Sequence, residues 1–240
     1  MQMEDKMTRF KREFGEGPLF TIADYVSWFL MGNLYFLLLN IPLIIVLTLL
    51  FSVGTNPFPI GIAYIIVLCC IPLGPSITAL LSVMGKLVRE KDVNITKDFF
   101  KAYKVNFSQG LFFGTLETII IFALYMDIKF FVLSGYPKAL TVFVLIVTAC
   151  ILALSLHLFP ILSRFYFTKK DILKISAFYT ITKFKTTLLN FGMILVVGFV
   201  FFKISTFIAV CIFSITCYLI MFNEQKILLD IEDKFIRKTP

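Results

Sequence analysis

The sequence predicts an all-α, polytopic membrane protein, and three observations predict it: the composition, the length of the apolar stretches and the placement of the basic residues. Of the 240 residues, 59% are hydrophobic and only 16% are charged, whereas a soluble domain is nearer half apolar and a quarter charged. Phenylalanine occurs 29 times, more often than Lys and Arg together, which number 23. This composition excludes a disordered chain, a fibrous repeat and a cytosolic enzyme.

The apolar stretches locate the helices that would cross a bilayer, since a span needs about 20 mostly apolar residues for about 30 Å of hydrocarbon. The last stretch, 187–222, is too long for one span and carries Lys203 near its middle. A lone ammonium at the bilayer centre is costly, so a tight turn is expected there. No cleavable signal peptide is evident, and the first span is expected to stay in the chain. Six spans are therefore predicted, at residues 25–52, 60–85, 108–127, 139–163, 187–202 and 204–222.

The distribution of Lys and Arg predicts the orientation of these spans. Twenty of the 23 basic residues lie in the N-terminal segment, the loops 86–107 and 164–186, and the C-terminal tail, whereas the alternate connections carry only Lys129, Lys138 and Lys203. Loops rich in Lys and Arg remain on the cytoplasmic side of a membrane. Both termini are therefore expected in the cytoplasm, and the protein is expected in the plasma membrane.

Four segments outside the spans combine apolar and basic residues at helical spacing: 3–16, 96–107, 168–182 and 224–236. They are predicted to be amphipathic helices in the headgroup plane, with their lysines toward anionic lipid. A docking platform for a partner is the alternative. Nucleic acid is not expected, because the basic residues flank apolar runs and do not cover one soluble face. The residues expected to contact anionic lipid or a partner are Lys86, Arg89, Lys97, Lys101, Lys104, Arg164, Lys169, Lys170 and Lys174.

Polar residues inside the predicted spans are the candidates for a functional site. Glu117 and the sole histidine, His157, lie about 15 and 10 Å from the cytoplasmic boundary at helical rise. Ionisable residues within a membrane usually face a bundle interior, a cavity or a partner. We expect both to face one internal polar pocket, with Asn33 and Ser76 at similar depth. The alternative is a structural hydrogen bond, or a protonated Glu117 that is satisfied by the backbone.

Pro72, Gly74 and Pro75 interrupt the second span near its middle. Since each proline lacks an N–H, the carbonyls of Leu68 and Ile71 lose their helical donors. Broken helices with freed carbonyls mark the binding sites of some transporters. An ordinary proline kink is the simpler interpretation.

No metal site, cofactor or enzymatic activity is expected. A single histidine excludes a metal site built on paired histidines, and neither a phosphate-binding loop nor a serine with a base and an orienting acid at a recognised spacing is found. The five cysteines lie in apolar runs without a Cys-x-x-Cys pair, which is typical of small hydrophobic residues.

A series of short motifs resembles the YesL family of small bacterial integral membrane proteins, a domain of unknown function. The resemblance covers roughly residues 15–128. The motifs, in chain order, are Gly17-Pro18-Leu19-Phe20, Asn33, Asn40-Ile41-Pro42-Leu43, Gly74-Pro75, Thr78-Ala79-Leu80, Lys86-Leu87-Val88-Arg89, Asp98-Phe99-Phe100-Lys101, Asn106-Phe107 and Gln109. The resemblance implies a bacterial protein encoded beside ABC-type carbohydrate import and polysaccharide-degradation systems.

The function expected is that of an accessory or assembly component of a membrane transport system, with a link to sugar uptake implied only by the resemblance. Its partners would be anionic lipids of the inner leaflet and an ABC transporter permease or a second copy of the chain. The alternative is an independent transporter or channel, with a polar path around Glu117, His157 and the break at Pro72–Pro75.

Overall fold

The computed structural model describes residues 18–53, 60–91, 93–203 and 211–235, and within these ranges the chain forms α-helices and no strand. The all-α class is therefore confirmed for the described residues. The predicted helix 3–16 lies outside them, as do residues 204–210 at the predicted turn after Lys203. The helices are α1 (Pro18–Leu39), α2 (Ile41–Val53), α3 (Ile60–Cys69), α4 (Leu73–Glu90), α5 (Ile95–Leu133), α6 (Lys138–Arg164), α7 (Lys169–Thr182), α8 (Phe184–Lys203) and α9 (Ile212–Phe235).

Several of these helices are long and apolar enough to cross a membrane, which is compatible with a multi-pass membrane protein. By length and composition there are four such segments in the described ranges: Ile22–Leu39, Tyr64–Glu90, Lys138–Arg164 and Ile212–Phe235. A fifth is obtained when α7 and the first part of α8, which meet at 90°, are counted as one broken span. The predicted third span, 108–127, lies inside the 39-residue helix α5 and is not among the four.

The buried core occupies one end of the bundle, which we call the basic end because Lys86, Arg89, Lys101 and Arg164 line a cleft there. Its fully buried side chains come from α4, α5, α6, α7 and α9, and include Met84, Phe99, Ile161, Ile172 and Ile231. At the other end, called the apolar end, large apolar side chains are exposed, among them Ile45, Val132, Phe143, Ile146 and Leu195. Hydrocarbon is the medium that tolerates such a surface.

Helices α4 and α5 pack backbone against backbone at three glycines. A Cβ atom on Gly114 would lie 2.5 Å from the Cα atom of Gly74, and a Cβ on Gly110 would lie 2.9 Å from the Cα of Pro75. Gly110 and Gly114 form a Gly-x-x-x-Gly pattern, which presents a flat surface to a neighbouring helix. Gly74 therefore serves close helix packing, in addition to any role beside the prolines.

The interruption at Pro72 is a short turn between α3 and α4, within a single candidate span. In this turn the backbone hydrogen bonds join residues three positions apart. The Ile71 N–H donates to the Leu68 carbonyl at 3.2 Å, and the Leu73 N–H donates to the Cys70 carbonyl at 3.0 Å. The Leu68 carbonyl, expected to be free, thus has a donor. This geometry is that of a kink.

Two of the predicted headgroup helices are not separate helices. Segment 96–107 is the first part of α5, and most of segment 224–236 is the last part of α9. Their apolar faces contact protein: Phe99 and Ala102 belong to one buried stripe of α5, and Leu228 and Ile231 to one of α9. The amphipathic pattern of these two segments therefore arises from packing into the core at the basic end. The sequence could not show this, because a helix face has the same periodicity whether protein or lipid covers it.

The segment 168–182 is a separate helix, α7, and the Thr168 side chain accepts a hydrogen bond from the Asp171 N–H at 3.3 Å, as the capping-box spacing predicts. The first predicted span also differs from expectation, because it is divided at Asn40 between α1 and α2. The Asn40 side chain donates to the carbonyl of Phe36 at 2.8 Å at this break.

Substitution of the crossing glycines tests the close approach of α4 and α5. Gly74→Ala and Gly114→Ala should each lower the free energy of unfolding by about 1–3 kcal/mol, because each new methyl group meets backbone atoms that cannot move aside. Gly198→Ala is the matched control, since in the described part of the chain its added Cβ meets no heavy atom within 4 Å apart from its own helix backbone. The measurement is unfolding of the purified protein in detergent. Equal stability of all three variants would contradict the crossing.

Candidate functional site

A buried polar network connects α6, α8 and α9 around His157. The His157 Nδ1 atom lies 2.9 Å from Glu224 Oε2, and Nε2 lies 2.8 Å from Thr187 Oγ1. The second carboxylate oxygen of Glu224 accepts from Asn190 Nδ2 at 2.8 Å. Asn223 completes the network by donating to Asn190 Oδ1 at 2.9 Å.

Complementary donors and acceptors satisfy the central groups of this network. A carboxylate only accepts, so the contact with an ionised Glu224 requires a proton on His157 Nδ1. Thr187 lies closer to His157 Nε2 than to the Lys183 carbonyl, at 2.8 Å against 3.5 Å, which favours donation of its hydroxyl proton to the ring. His157 and Glu224 are both 0% exposed. Such burial of ionisable groups is tolerated only when they are paired.

The order Thr187, His157 and Glu224 has the connectivity of a nucleophile, base and orienting acid. In a triad of this kind the hydroxyl must be open to a substrate, but the Thr187 residue is only 2% exposed. None of the three residues lines the cavity described next. The burial favours a structural clamp between three helices.

A separate cavity of about 590 Å³ contains Glu117 in its wall. Its lining comes from α1, α3, α4, α5, α6 and α9 and is almost entirely apolar, with Leu73, Phe122 and Phe159 as examples. Glu117 is partly buried, and Ser155 lies in the wall of the same cavity. The chemistry of this site is that of an apolar chamber with a single carboxyl group.

The four residues expected to share one polar pocket lie in different local environments. His157 does not pair with Glu117, because both of its ring nitrogens are bonded to other side chains. Asn33 accepts the Phe213 N–H at 3.2 Å and so caps the first turn of α9. Ser76 accepts from Asn40 Nδ2 at 2.8 Å.

The nine predicted basic contacts also separate into groups. Four of them, Lys86, Arg89, Lys101 and Arg164, line one cleft of about 220 Å³ at the basic end. Lys169 lies 4.0 Å from the ring centroid of Phe112, where a cation–π interaction stabilises it. Lys174 lines a different cavity beside Tyr179. Lys97, Lys104 and Lys170 are exposed.

Four members of the His157 network were not predicted from the sequence, namely Thr187, Asn190, Asn223 and Glu224. Thr187 and Asn190 are three residues apart near the start of the fifth predicted span, and this spacing places two polar side chains on one helix face. The spacing of Thr187 and Asn190 could therefore have been identified from the sequence. Glu224 lies at the start of a segment interpreted as cytoplasmic, where a carboxylate needs no partner.

Comparison with known proteins matches part of the chain to a family without an assigned function. A family model described as "Protein of unknown function, DUF624" matches residues 29–128. This region lies within the part of the chain that resembles the YesL family, and it contains the glycine crossing and Glu117. No curated protein and no solved structure matches the chain.

Removal of the partners in the buried network tests its contribution to stability. His157→Ala and Glu224→Ala should each lower the free energy of unfolding by about 3–5 kcal/mol, because each leaves a buried polar partner unpaired. The double variant should lose clearly less than the two single losses combined, since neither partner remains.

The matched control is the Arg164–Glu232 pair, which joins the same two helices at 2.6 Å but is partly exposed. Glu232→Ala should cost about 1 kcal/mol or less. The measurement is a double-mutant cycle of unfolding in detergent. Simple additivity at His157 and Glu224 would be inconsistent with the coupling.

Proposed function

We propose that the protein is an integral membrane accessory or assembly component of a transport system, and that it acts through helix–helix and cytoplasmic-face contacts. The resemblance to the YesL family adds the expectation of an ABC-type carbohydrate importer as the partner system. The observation that carries the proposal is the dispersal of the intramembrane polar residues. A conducting path needs such groups in series along one hydrated route.

The local contacts support a role that does not involve conduction. Both ring nitrogens of His157 and both carboxylate oxygens of Glu224 are used within the three-helix network. The chamber at Glu117 is apolar and offers a hydrated ion few partners. At the kink beside Pro72, the Leu68 carbonyl accepts a hydrogen bond from the Ile71 N–H, so this carbonyl is not directed at a solute.

A groove between α8 and α9 is the surface we propose for a membrane helix of the partner permease. The groove has a volume of about 340 Å³ and is lined by Leu188, Leu189, Gly192, Met193, Val196, Val197 and Leu219. Apart from its own helix backbone, no heavy atom of the described residues lies within 4 Å of a Cβ built on Gly192. Small residues that leave the backbone accessible are typical of helix contacts in membranes.

The topology proposed for this role has six spans, with both termini in the cytoplasm. The pairing of Lys86 with Asp98 at 2.8 Å and of Arg164 with Glu232 at 2.6 Å supports placing the two basic loops and the end of α9 on one side. The basic end of the bundle is then the cytoplasmic end, and the inner leaflet supplies anionic headgroups.

One observation favours the alternative of an independent transporter or channel. The chamber of about 590 Å³ reaches the intramembrane carboxyl group of Glu117. The path would include Glu117 and the kink at Pro72–Pro75, and His157 would join it only if the buried network opened.

Filling the groove tests whether it binds the partner. Gly192→Leu should abolish copurification with the carbohydrate permease subunits encoded in the same genome, because the side chain occupies the groove. Gly198→Leu is the matched control on the same helix, since among the described residues its added Cβ also meets open space but Gly198 does not line the groove.

Flux measurements on the purified protein in sealed vesicles separate the two functions. The accessory role predicts no solute or proton flux, and Glu117→Gln should change nothing. Flux that requires Glu117, or failure of the permease to copurify with the parent protein, would contradict the accessory role. Self-association that Gly192→Leu abolishes would assign the groove to a second copy.

Thiol labelling tests the topology. Lys97→Cys and Lys170→Cys should react only with a thiol reagent on the cytoplasmic side, and Ser134→Cys only with one on the outside. A variant without the five native cysteines is the background for the labelling. Reaction of positions 97 and 170 from opposite sides would overturn the threading.

A further inference from the structure

A cleft at the basic end has the features of a small anion-binding site. It lies where the end of α4, the start of α5 and the end of α6 meet, and its volume is about 220 Å³. Three contacts fix its frame: the Lys86–Asp98 ion pair at 2.8 Å, the Arg164–Glu232 ion pair at 2.6 Å, and a bond at 2.7 Å from the Tyr166 hydroxyl to the Val105 carbonyl.

The charges on the cleft are unevenly compensated. Lys86 is neutralised by Asp98 and, at 3.8 Å, by Glu90, while Glu232 neutralises Arg164. In the described part of the chain, Arg89 and Lys101 form no hydrogen bond or ion pair through their side chains. The Arg89 charge is repelled by the Arg164 charge and attracted by Glu90 and Glu232, so it is only partly compensated within the chain. An anion between Arg89 and Arg164 would remove that repulsion.

A neutral donor lies in the same wall. Asn106 is only 7% exposed, yet its amide forms no hydrogen bond to any group in the described ranges. The amide lines the cleft beside Lys101, and its polar atoms are accessible there. The amide can therefore donate to a bound oxyanion.

We propose that this cleft binds a phosphate group, with Arg89 and Lys101 as the principal cationic contacts and Asn106 as a neutral donor. A guanidinium donates to two phosphate oxygens at once, and an ammonium adds a point charge. The cleft is smaller than the pockets that hold drug-sized ligands, so its size suits a headgroup or a free phosphate. This site is distinct from a general attraction of basic loops to the membrane, because Lys97 and Lys104 on the same helix do not line it.

The test uses the full chain in nanodiscs of phosphatidylcholine, with or without phosphatidylglycerol, and counts retained anionic lipid by native mass spectrometry. A second arm adds inorganic phosphate to the neutral discs and measures thermal stabilisation. The test variant is Arg89→Gln with Lys101→Gln, and the matched control is Lys97→Gln with Lys104→Gln, which removes the same charge from positions outside the cleft. Arg89→Lys keeps the charge but loses the paired donors.

We expect the test variant to bind about tenfold more weakly than the parent, because charge-assisted hydrogen bonds are lost. The control pair should bind like the parent, and Arg89→Lys should be intermediate. Phosphatidylglycerol retention without a response to inorganic phosphate identifies a lipid headgroup, and a response to phosphate identifies a soluble ligand. Equal loss in the test and control pairs, or no response of the parent protein in either arm, would overturn the site.

Discussion

An apolar surrounding medium makes an unpaired polar group costly, and this constraint shapes the architecture. Among the buried side-chain atoms of the described residues, only Asn40 Oδ1 and Ser214 Oγ have no hydrogen-bond partner. The hydroxyl groups of helical threonines such as Thr118 and Thr148 donate hydrogen bonds to the carbonyl one turn earlier, at 2.8 Å. Asn33 caps the first turn of α9, and Ser76 bonds Asn40 where the first span is broken. The same requirement accounts for the paired groups around the buried histidine, because an unpaired carboxylate there would cost several kcal/mol.

The two ends of the bundle meet this constraint in different ways. At the basic end, buried side chains from five helices form a continuous core and ion pairs connect the helix ends. At the apolar end, few side chains are buried and the helices present their residues outward. Close packing within the chain fixes the helices at the basic end, whereas lipid or a partner helix can cover the exposed side chains at the apolar end. A fixed basic end and an adaptable apolar end would suit a protein that associates with other membrane helices.

Some of the site was within reach of the sequence and some was not. His157 could be identified as a candidate, because ionisable residues in apolar stretches are rare. Its partner Glu224 could not, because it lies 67 residues further along the chain and no local pattern joins the two. Charge counts identify Arg89 and Lys101 as basic loop residues, but only the packing of α4 against α5 and α6 places them in one cleft. The stripe that contains Phe99 has the period of an amphipathic helix whether lipid or protein covers it.

The helical class and the apolar character of the surface can be read from composition and run length, because both follow from what hydrocarbon accepts. Tertiary packing establishes which polar residues meet, where Gly74 approaches Gly114, and how four basic side chains come to share a cleft. These contacts join positions far apart in the chain, which no local pattern relates. Local periodicity specifies the face of a helix, whereas packing specifies what that face touches.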